Sequence, residues 1–472
     1  MVHVHGVQAQ RLAAVTDGAD PHELIAVAID VGKHSAMALV CDFAGELLAR
    51  PFEFAMSRPG IELLVARVTA ATSARSVRLV RVGIEAAGHY HRPVVSAGVL
   101  PVAWQVVQCN PAHVAAQRHV AGRRGVKTDH TDLVAISDLV RAGHGGDQPP
   151  VRPVLLELRA WVAHRDRRVA VRSATKNQLL GQVDRVFPGL AGCLADVLGT
   201  KIGRLLVTEG CDPAHLVGLG PDGLRALAAD RGVLLQATLA RRLVRAAQDA
   251  LVTDHAAAAR AVLATDVDLL TVLDAHVQAA EQHLARLLPQ TAFQVLTTTP
   301  GWGVVRVTRY AAAVGDLARW PSPRQLYRAS GLTPTVYASA GRRRDGAISR
   351  EGSVLLRRAL LDLGVGLWHC DPPARAYAAA LRARGKPGGV IACALAHRAN
   401  RIAYALVRDQ LAYDPDRWPS QAPGTLTPDQ PASCSLATTA TPARLPGRKA
   451  GIDTVSVMAD PTLPGTVVSR RG

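Results

Sequence analysis

LIAVAIDVGKHSAMALVCDFAGELLARPFEF, residues 24–54, contains two β-rich runs, Leu24–Ile29 and Ser35–Cys41, joined by a tight turn at Gly32. A third run follows the turn at Ala44-Gly45. Apolar runs of this length separated by glycine turns are typical of antiparallel strands. The stretch therefore predicts a three-stranded meander.

Helices and strands alternate downstream of the meander. The periodicity of GIELLVARVTAATSA predicts a helix, and VRLVRVGIEAAG is an apolar run that predicts a buried parallel strand. A short helix then leads to a strand at Leu100–Val107, and NPAHVAAQ begins another helix, with Asn110 as its cap and Pro111 at its first position. The order β-β-β-α-β-α-β-α predicts an α/β domain.

The rest of the chain divides by composition. GHGGDQPP, Gly143–Pro150, is typical of a linker. After Asp414 there are nine prolines mixed with Ser, Thr and Gly, a composition that cannot bury a core. We expect five segments: a flexible N-terminus at 1–22, the α/β domain at 23–145, a helical segment at 146–290, a mostly α domain at 291–412 and a disordered tail at 413–472.

The helical segment carries apolar residues at near-heptad spacing: Leu263, Val267, Leu270, Val277, Leu284 and Leu287. This spacing predicts an antiparallel helical stalk or a coiled coil. Helices packed within one domain would give the same pattern, so both arrangements stay open. In the domain that follows, LTTTPGWGVVRVTRYAAAVGDLARWPSPRQLYRASGL predicts a helix, a glycine turn and a second helix, a helix-hairpin-helix-like element.

The chain is strongly basic. It has 472 residues and a net charge of +17, and six of its 55 basic residues are lysine, so 49 are arginine. A GC-rich genome explains the choice of arginine over lysine, but it does not explain the excess of bases over acids. Arginine binds phosphate oxygens in pairs, so this excess favours a nucleic-acid partner.

The cysteines and the apolar runs indicate the cellular compartment. The seven cysteines are an odd number with no close pair, which favours a reducing cytoplasm over a disulfide framework. We found no signal peptide at the N-terminus and no uncharged apolar run long enough to span a membrane. We therefore expect a cytoplasmic, nucleoid-associated protein with no membrane partner.

Four acids stand at positions that become meaningful together. Asp30 ends the first strand, Glu85 ends the fourth, and Asp129 and Asp132 share one face of a helix. Each alone is most often an ordinary strand-end or surface acid. Four carboxylates can crowd together only when something neutralises them, and two Mg²⁺ ions about 4 Å apart do so while activating a nucleophile. The layout is that of ribonuclease-H-like nucleases, in which the neighbouring bases Arg123, Arg124 and Lys127 would hold the phosphates.

The motifs AIDVGKHSAMALV, IEAAGHY, NPAHV and KTDHTDLVAISDLV, in this order, resemble the DEDD transposases of bacterial insertion sequences. The N-terminal domain of that family is similar to the Holliday-junction resolvase RuvC. The four acids each fall on the family's acidic positions, and Lys33 and Tyr90 match as well, whereas Ala87 stands where many members carry Thr. Three C-terminal stretches resemble the family's second domain: residues 299–316, 326–360 and 377–406.

The resemblance also implies a nucleophilic serine. In the family it lies in a Ser-Gly motif after GLTP, which corresponds here to Ser339, although the glycine is displaced to Gly341. Ser349 and Ser353 are the alternatives. Attack by such a serine would give a phosphoserine–DNA intermediate that keeps the bond energy. Basic residues around it would bind the nucleic acid and stabilise the attacked phosphate: Arg342, Arg343, Arg344, Arg350, Arg357 and Arg358.

Partners follow from the resemblance rather than from the residues. The family implies a homo-oligomer, a dimer or tetramer, in which the acids and the serine come from different subunits. It also implies DNA substrates, the element ends and the target, and a structured noncoding guide RNA that pairs with both.

Three other functions fit parts of the sequence. A RuvC-like junction-resolving endonuclease would need the four acids but not the second domain. A sugar or acetate kinase also begins with a meander and a strand-1 acid, but it needs Gly-rich phosphate loops that we do not find here. A non-catalytic nucleic-acid-binding relic would not need intact acids.

Overall fold

The computed structural model describes residues 16–417 apart from residues 17, 87, 97, 121–127, 148–151, 210, 252–255 and 340, and apart from the side chains at 256, 343 and 345. Its N-terminal part is a six-stranded sheet with strands β1 (Leu24–Val31), β2 (Ser35–Asp42), β3 (Leu47–Ala55), β4 (Leu79–Glu85), β5 (Gln105–Cys109) and β6 (Gly146–Asp147). The strand order is β3-β2-β1-β4-β5-β6. β1, β4 and β5 run parallel, and the other pairs are antiparallel. The predicted meander and α/β class are confirmed.

Helices cover both faces of this sheet. One face packs against α1 (Arg58–Thr72), and the other packs against α2 (Pro111–Val120) and α3 (Asp129–Arg141). Side chains alternate between the faces because successive residues of a strand point in opposite directions. Ile29 and Ile84 pack with the α1 side, whereas Ala28 packs with the α3 side. The central strands β1 and β4 are therefore buried on both faces, whereas most of β3 is not.

The segment between β4 and β5 differs from the prediction. Residues 88–104, apart from residue 97, form consecutive turns instead of a short helix, and the strand begins at Gln105 instead of Leu100. Pro93 and Pro101 cannot donate backbone hydrogen bonds, and Gly98 has φ 77°, so the helical ladder is interrupted. The predicted linker also contains β6, which pairs with β5.

Two long helices follow, α4 (Pro153–Val186) and α9 (Ala256–Leu287), with four shorter ones between them, α5 (Leu190–Cys193), α6 (Lys201–Thr208), α7 (Pro213–Asp230) and α8 (Ala237–Gln248). The start of α4 and the end of α9 share one core, and the end of α4 and the start of α9 share another. The two helices are therefore antiparallel. Ion pairs join them along their length, with Arg165 Nη2 lying 2.6 Å from Glu281 Oε1 and Arg172 Nη1 lying 3.2 Å from Asp274 Oδ1.

The C-terminal part contains α10 (Val304–Val314), α11 (Pro323–Arg328), the hairpin strands β7 (Pro334–Ser339) and β8 (Arg342–Ile348), α12 (Val354–Cys370), α13 (Pro372–Ala383) and α14 (Gly388–Asp409). α10 is preceded by a 3₁₀ helix, Ala292–Thr298, and a glycine turn. The hairpin and α13 were not predicted from the sequence. α12, α13 and α14 close a large core with α10 around the buried Trp302 and Tyr310.

Both predicted terminal segments need adjustment where the structure describes them. The predicted flexible N-terminus at 1–22 includes a 3₁₀ turn that starts at Pro21, and its residues 1–15 and 17 lie outside the described chain. The predicted tail from 413 begins with a fixed residue, because the Tyr413 hydroxyl donates to Asp371 Oδ1 at 3.0 Å. Residues 418–472 are outside the described part. Within that part, no helix is long and apolar enough to cross a membrane.

Candidate active site

Asp30 and Glu85 lie side by side at one edge of the sheet. β1 and β4 are parallel with Ile29 opposite Ile84, so the next residue on each strand is an acid. Ile29 and Ile84 point toward α1, so Asp30 and Glu85 point to the face that α3 covers. Both are half-buried. Two neighbouring parallel strands thus deliver two carboxylates to the same side of the same edge.

The first turn of α3 lies at this edge. A Cβ placed on Gly83 would come within 2.2 Å of Val140 Cγ2 and 3.0 Å of Ile136 Cγ2, so α3 packs directly on β4. The far end of α3 approaches Gly45, in the turn at the opposite edge, because Arg141 Nη1 lies 3.2 Å from the equivalent point on Gly45. α3 therefore starts where β1 and β4 end.

The spacing of residues along α3 is similar to their spacing along β4. Asp132 precedes Ile136 by one helical turn, about 6 Å along α3. Glu85 lies two residues beyond Gly83, about 6.6 Å along β4. Since Ile136 packs over Gly83, Asp132 lies toward the same end of the sheet as Glu85.

The start of α3 is fixed by a capping box. The Thr128 hydroxyl accepts from the Thr131 N–H at 3.2 Å, and the Thr131 hydroxyl accepts from the Thr128 N–H at 3.0 Å. Asp129 is exposed in the first turn, where free backbone N–H groups favour negative charge, and Asp132 is 2% exposed. The cap fixes the start of the helix that carries both acids.

Arg118, near the end of α2, forms an ion pair with Asp132. Its side chain is 19% exposed, so the pair is largely shielded from water. Arg118 was not predicted from the sequence to belong to the site. The sequence feature that could have indicated it is the basic run RHVAGRRGVK, residues 118–127, which begins with Arg118. Three other residues of this run, Arg123, Arg124 and Lys127, were predicted to bind phosphates, and they lie outside the described residues.

The acids at this edge suit a hard divalent cation. Carboxylate oxygens are the donors that Mg²⁺ prefers, and four of them on two strands and a helix can share two ions. A buried carboxylate such as Asp132 requires a positive partner, which Arg118 provides here. Carboxylates are the right kind of ligand for the predicted magnesium site, but among the described residues no three of these four acids have ligand atoms within 4.8 Å of one another.

Among the described residues, the three possible metal ligands that do lie close together are at the opposite edge of the sheet. His22, Asp42 and Glu46 place ligand atoms within 4.8 Å of one another, but Arg75 donates to Asp42 at 3.2 Å and to Glu46 at 2.8 Å. Arg75 pairs with both carboxylates here, as Arg118 pairs with Asp132 at the other edge, so the group is already a network of ion pairs. It ties the residues before β1 to the end of β2.

Ser339 lies away from the sheet, at the end of β7. It is exposed and pairs with Arg342 across the tip of the hairpin, where Gly341 has φ 75°. The displaced glycine thus takes the left-handed position of a tight turn. Ser339 is the last residue of β7 before that turn.

The two alternative serines have structural contacts. The Ser353 hydroxyl accepts from the Leu356 N–H at 3.2 Å and caps α12, and the Ser349 hydroxyl donates to the Gly331 carbonyl at 3.5 Å. Ser353 is exposed as well, but its hydroxyl is engaged in the helix cap, whereas Ser339 is exposed next to the hairpin turn.

The six predicted arginines differ in their surroundings. Arg342, Arg344 and Arg358 are exposed. Arg357 is engaged in the fold, because it donates to the carbonyls of Ser330 at 2.9 Å and of Arg350 at 2.6 Å. Arg350 itself has φ 57°, and Arg343 is described only in its backbone, as part of β8.

Two protein families match the chain. A family described as transposase, of the DEDD IS110 type, matches residues 27–188. A second family, described as transposase of the IS116/IS110/IS902 family, matches residues 293–379. The first match contains the acid edge, and the second contains the hairpin with Ser339.

Similar proteins come from three bacteria. A probable family 20 transposase of Pseudomonas aeruginosa is 30% identical over 38% of this chain and 56% of its own length. An uncharacterized 42 kDa protein of insertion element IS900 from Mycobacterium paratuberculosis is 27% identical over 63% of this chain and 76% of its own. An uncharacterized 44.8 kDa protein of insertion element IS116 from Streptomyces clavuligerus is 25% identical over 84% of this chain and 97% of its own.

Proposed function

The chain carries the two transposase domains of the IS110/IS116/IS902 family, and on this premise we propose that it is a DNA transposase that cuts and rejoins strands for an insertion element. The observation that carries the proposal is the meeting of β1, β4 and the first turn of α3 at one edge of the sheet. Acids on three elements of a strongly basic chain support this proposal, because metal-dependent phosphodiester chemistry uses such carboxylates.

We propose that the four acids hold the divalent ions, and each has a distinct part. Asp30 and Glu85 stand on central strands and give the site its rigid side. Asp132 supplies a shielded carboxylate that Arg118 holds in place, and Asp129 supplies an exposed one. Bound ions would supply charge neutralisation and activation of the attacking oxygen.

Ser339 is the proposed nucleophile. Its Oγ would form a bond to phosphorus while one ester P–O bond of the DNA breaks, the serine proton is given up, and the departing oxygen takes a proton to become a free hydroxyl. One ester replaces another, so the bond energy is kept for rejoining and no ATP is required. The exposure of Ser339 at a projecting tip supports this role.

The arginines of the hairpin and of α12 would bind the nucleic acid. Arg342 and Arg344 flank the tip and are exposed, so they can approach a phosphate next to Ser339. Arg358, on α12, is exposed as well. Arg357 would act by holding the base of the hairpin, because both of its contacts are to carbonyls within the fold.

Assembly and guidance are also proposals that rest on the family resemblance. A dimer or tetramer would bring the acid edge of one subunit to the serine of another. The antiparallel α4 and α9 would serve as a stalk that sets this distance. A structured noncoding RNA would bind the basic surface and select the element ends and the target.

The test is to trap the covalent intermediate on a nicked suicide substrate that carries the element's end sequence. We expect a protein–DNA adduct that survives denaturation and maps to Ser339. Ser339→Ala should lose it while still binding DNA, and Asp30→Asn or Glu85→Gln should lose it with the fold intact. Ser349→Ala is the matched control. Free cut ends without an adduct would instead favour a junction-resolving endonuclease, and an adduct at Ser349 or Ser353 would overturn the assignment of the nucleophile.

A further inference from the structure

One face of the β7–β8 hairpin carries more than the serine. Tyr337 and Ser339 are two residues apart on β7, so they project from the same face, about 6.6 Å apart. Their cross-strand partners are Arg344 and Arg342. Directly opposed residues of an antiparallel pair point to the same side. This face therefore presents a hydroxyl, an aromatic ring and two guanidinium groups.

The ring of Tyr337 is unusually open to solvent. The residue is 67% exposed, although tyrosine rings are mostly packed in folded proteins. A Cβ on Gly346 would lie 3.5 Å from Tyr337 Cε2, so the ring rests against the glycine of the facing strand. The hairpin supports the ring from below, and the rest of the ring is available to a ligand.

The charges on the same face select the ligand. Among the side chains that the structure describes, no carboxylate pairs with Arg342 or Arg344, and both are exposed. Unpaired guanidinium groups next to an open aromatic ring are the combination that binds unpaired nucleotides, with arginine on the phosphates and the ring on a base. The face thus suits a single-stranded segment of DNA.

The base of the hairpin is rigid enough to hold such a ligand in register. Gly352 packs so closely that a Cβ would come within 2.3 Å of the Ala329 carbonyl oxygen, and a Cβ on Gly331 would come within 2.8 Å of the Glu351 carbonyl oxygen. Arg357 crosses the same region and binds two carbonyls. The tip projects from an anchored base.

We propose that Tyr337 stacks on the unpaired base next to the phosphate that Ser339 attacks, while Arg342 and Arg344 hold the adjoining phosphates. Tyr337 is then a positioning residue for the scissile bond, and the hairpin face is a binding site for one unpaired nucleotide. The part that concerns the scissile phosphate rests on the proposed function, whereas the stacking itself does not.

The binding experiment uses element-end DNA with 2-aminopurine at each position flanking the nick, on a Ser339→Ala background so that no chemistry occurs. We expect the protein to quench the fluorescence at one position. Tyr337→Ala should abolish this quenching and weaken binding about tenfold, and Tyr337→Phe, which keeps the ring, should preserve it. Val336→Ala is the matched control, because Val336 is also exposed, at 49%, but points to the opposite face.

The kinetic experiment uses nicked substrates that are intact or abasic at the quenched position. We expect Tyr337→Ala to raise the DNA concentration for half-maximal adduct formation about tenfold on the intact substrate and to match the wild type on the abasic one. An equal defect on both substrates would overturn the proposal. The proposal would also be overturned if Tyr337→Ala changed the oligomeric mass while removal of the base had no effect on adduct formation. That result would assign the ring to a contact with a second copy of the chain.

Failure of the proposed function would look different. If no adduct forms with any variant, but the tyrosine-dependent quenching persists, the nucleotide site stands and the serine chemistry falls. If the adduct forms with normal efficiency in Tyr337→Ala, the serine chemistry stands and the stacking proposal falls.

Discussion

Asp132 is the acid whose surroundings are most demanding. It is 2% exposed, and an ionised carboxylate at that depth is costly unless a positive group compensates it. Arg118 compensates it from a different helix. The ion pair therefore links the geometry of the acid edge to the packing of α2 on α3.

Arg118→Ala should lower the free energy of unfolding measured without divalent ions by about 1–3 kcal/mol, because it leaves the Asp132 charge buried without its partner. Added Mg²⁺ should recover more stability in this variant than in the wild type, since the cation can then neutralise Asp132. Urea titrations with and without Mg²⁺ measure both effects. His119→Ala, at the exposed neighbouring position, is the control, and equal Mg²⁺ effects in both variants would contradict this account.

A second prediction at this scale concerns pH. The hydrogen bond to Asp42, together with the charges of Asp42 and Asp20, raises the pKa of His22. Burial alone would raise the pKa of Asp42, but the hydrogen bonds from His22 and the Glu46 N–H outweigh it and lower that pKa. The nearby Arg75 opposes the charge on His22.

The directions of the two pKa shifts define the pH range in which this pair stabilises the fold. The contribution of His22 is complete below its ordinary pKa of about 6.5 and is lost as pH rises through its raised value, and that of Asp42 is complete above about 3.9 and is lost as pH falls through its lowered value. The stability difference between the wild type and His22→Gln should thus be largest between about pH 4 and 6.5. Chemical denaturation across pH 3–9 measures it, and a difference that stays flat above pH 7 would rule out the pair as its source.

Among the elements, those with strong local patterns were predictable from the sequence and the others were not. β1 to β4 followed from apolar runs and glycine turns, and Asp30 and Glu85 lie at strand ends as expected. The β7–β8 hairpin was missed because PTVYAS and RRRDGAI have no apolar alternation and do not build a core. The pairing of Arg118 with Asp132 joins two helices across an irregular segment, and no local pattern predicts such a contact.

A prediction about secondary-structure elements concerns the base of the β7–β8 hairpin. Gly352 has φ 148°, and Gly352→Ala would drive a Cβ into the Ala329 carbonyl, so we expect the hairpin to shift and adduct formation at Ser339 to fall at least tenfold. Helical circular dichroism should stay unchanged, because the main helices do not depend on this contact. Gly388→Ala, where a Cβ would meet nothing within 4 Å, is the matched control. Normal adduct yield from Gly352→Ala would show that the base tolerates displacement.

Across the whole molecule, the described hydrophobic cores end before the last segment. Among the described residues, the buried apolar side chains extend from Leu24 to Val407. Tyr413 is different, because it donates to Asp371, which is fully buried and also caps α13. Tyr413 is therefore tied to the folded part of the described chain.

A chain that ends at Arg417 should unfold at the same temperature as the full chain and largely retain catalysis. A chain that ends at Leu411 should be less stable by about 1.5–3 kcal/mol, since it loses a hydrogen bond to a charged group. Tyr413→Phe in the longer truncation should reproduce most of this loss. Thermal and urea unfolding of the four chains decides it, and unfolding of the chain that ends at Arg417 would show that the tail belongs to the core.

The contact of Gly83 with Val140 has a consequence for how such chains can diverge. Position 83 has no room for a methyl group while Val140 and Ile136 fill the space above it. A lineage that acquires alanine at 83 must trim the side chain at 140, or the helix that carries two of the acids is pushed off the strand that carries a third. Positions 83 and 140 should therefore change together or not at all, and this coupling would protect the spacing of the acids without any selection on the acids themselves.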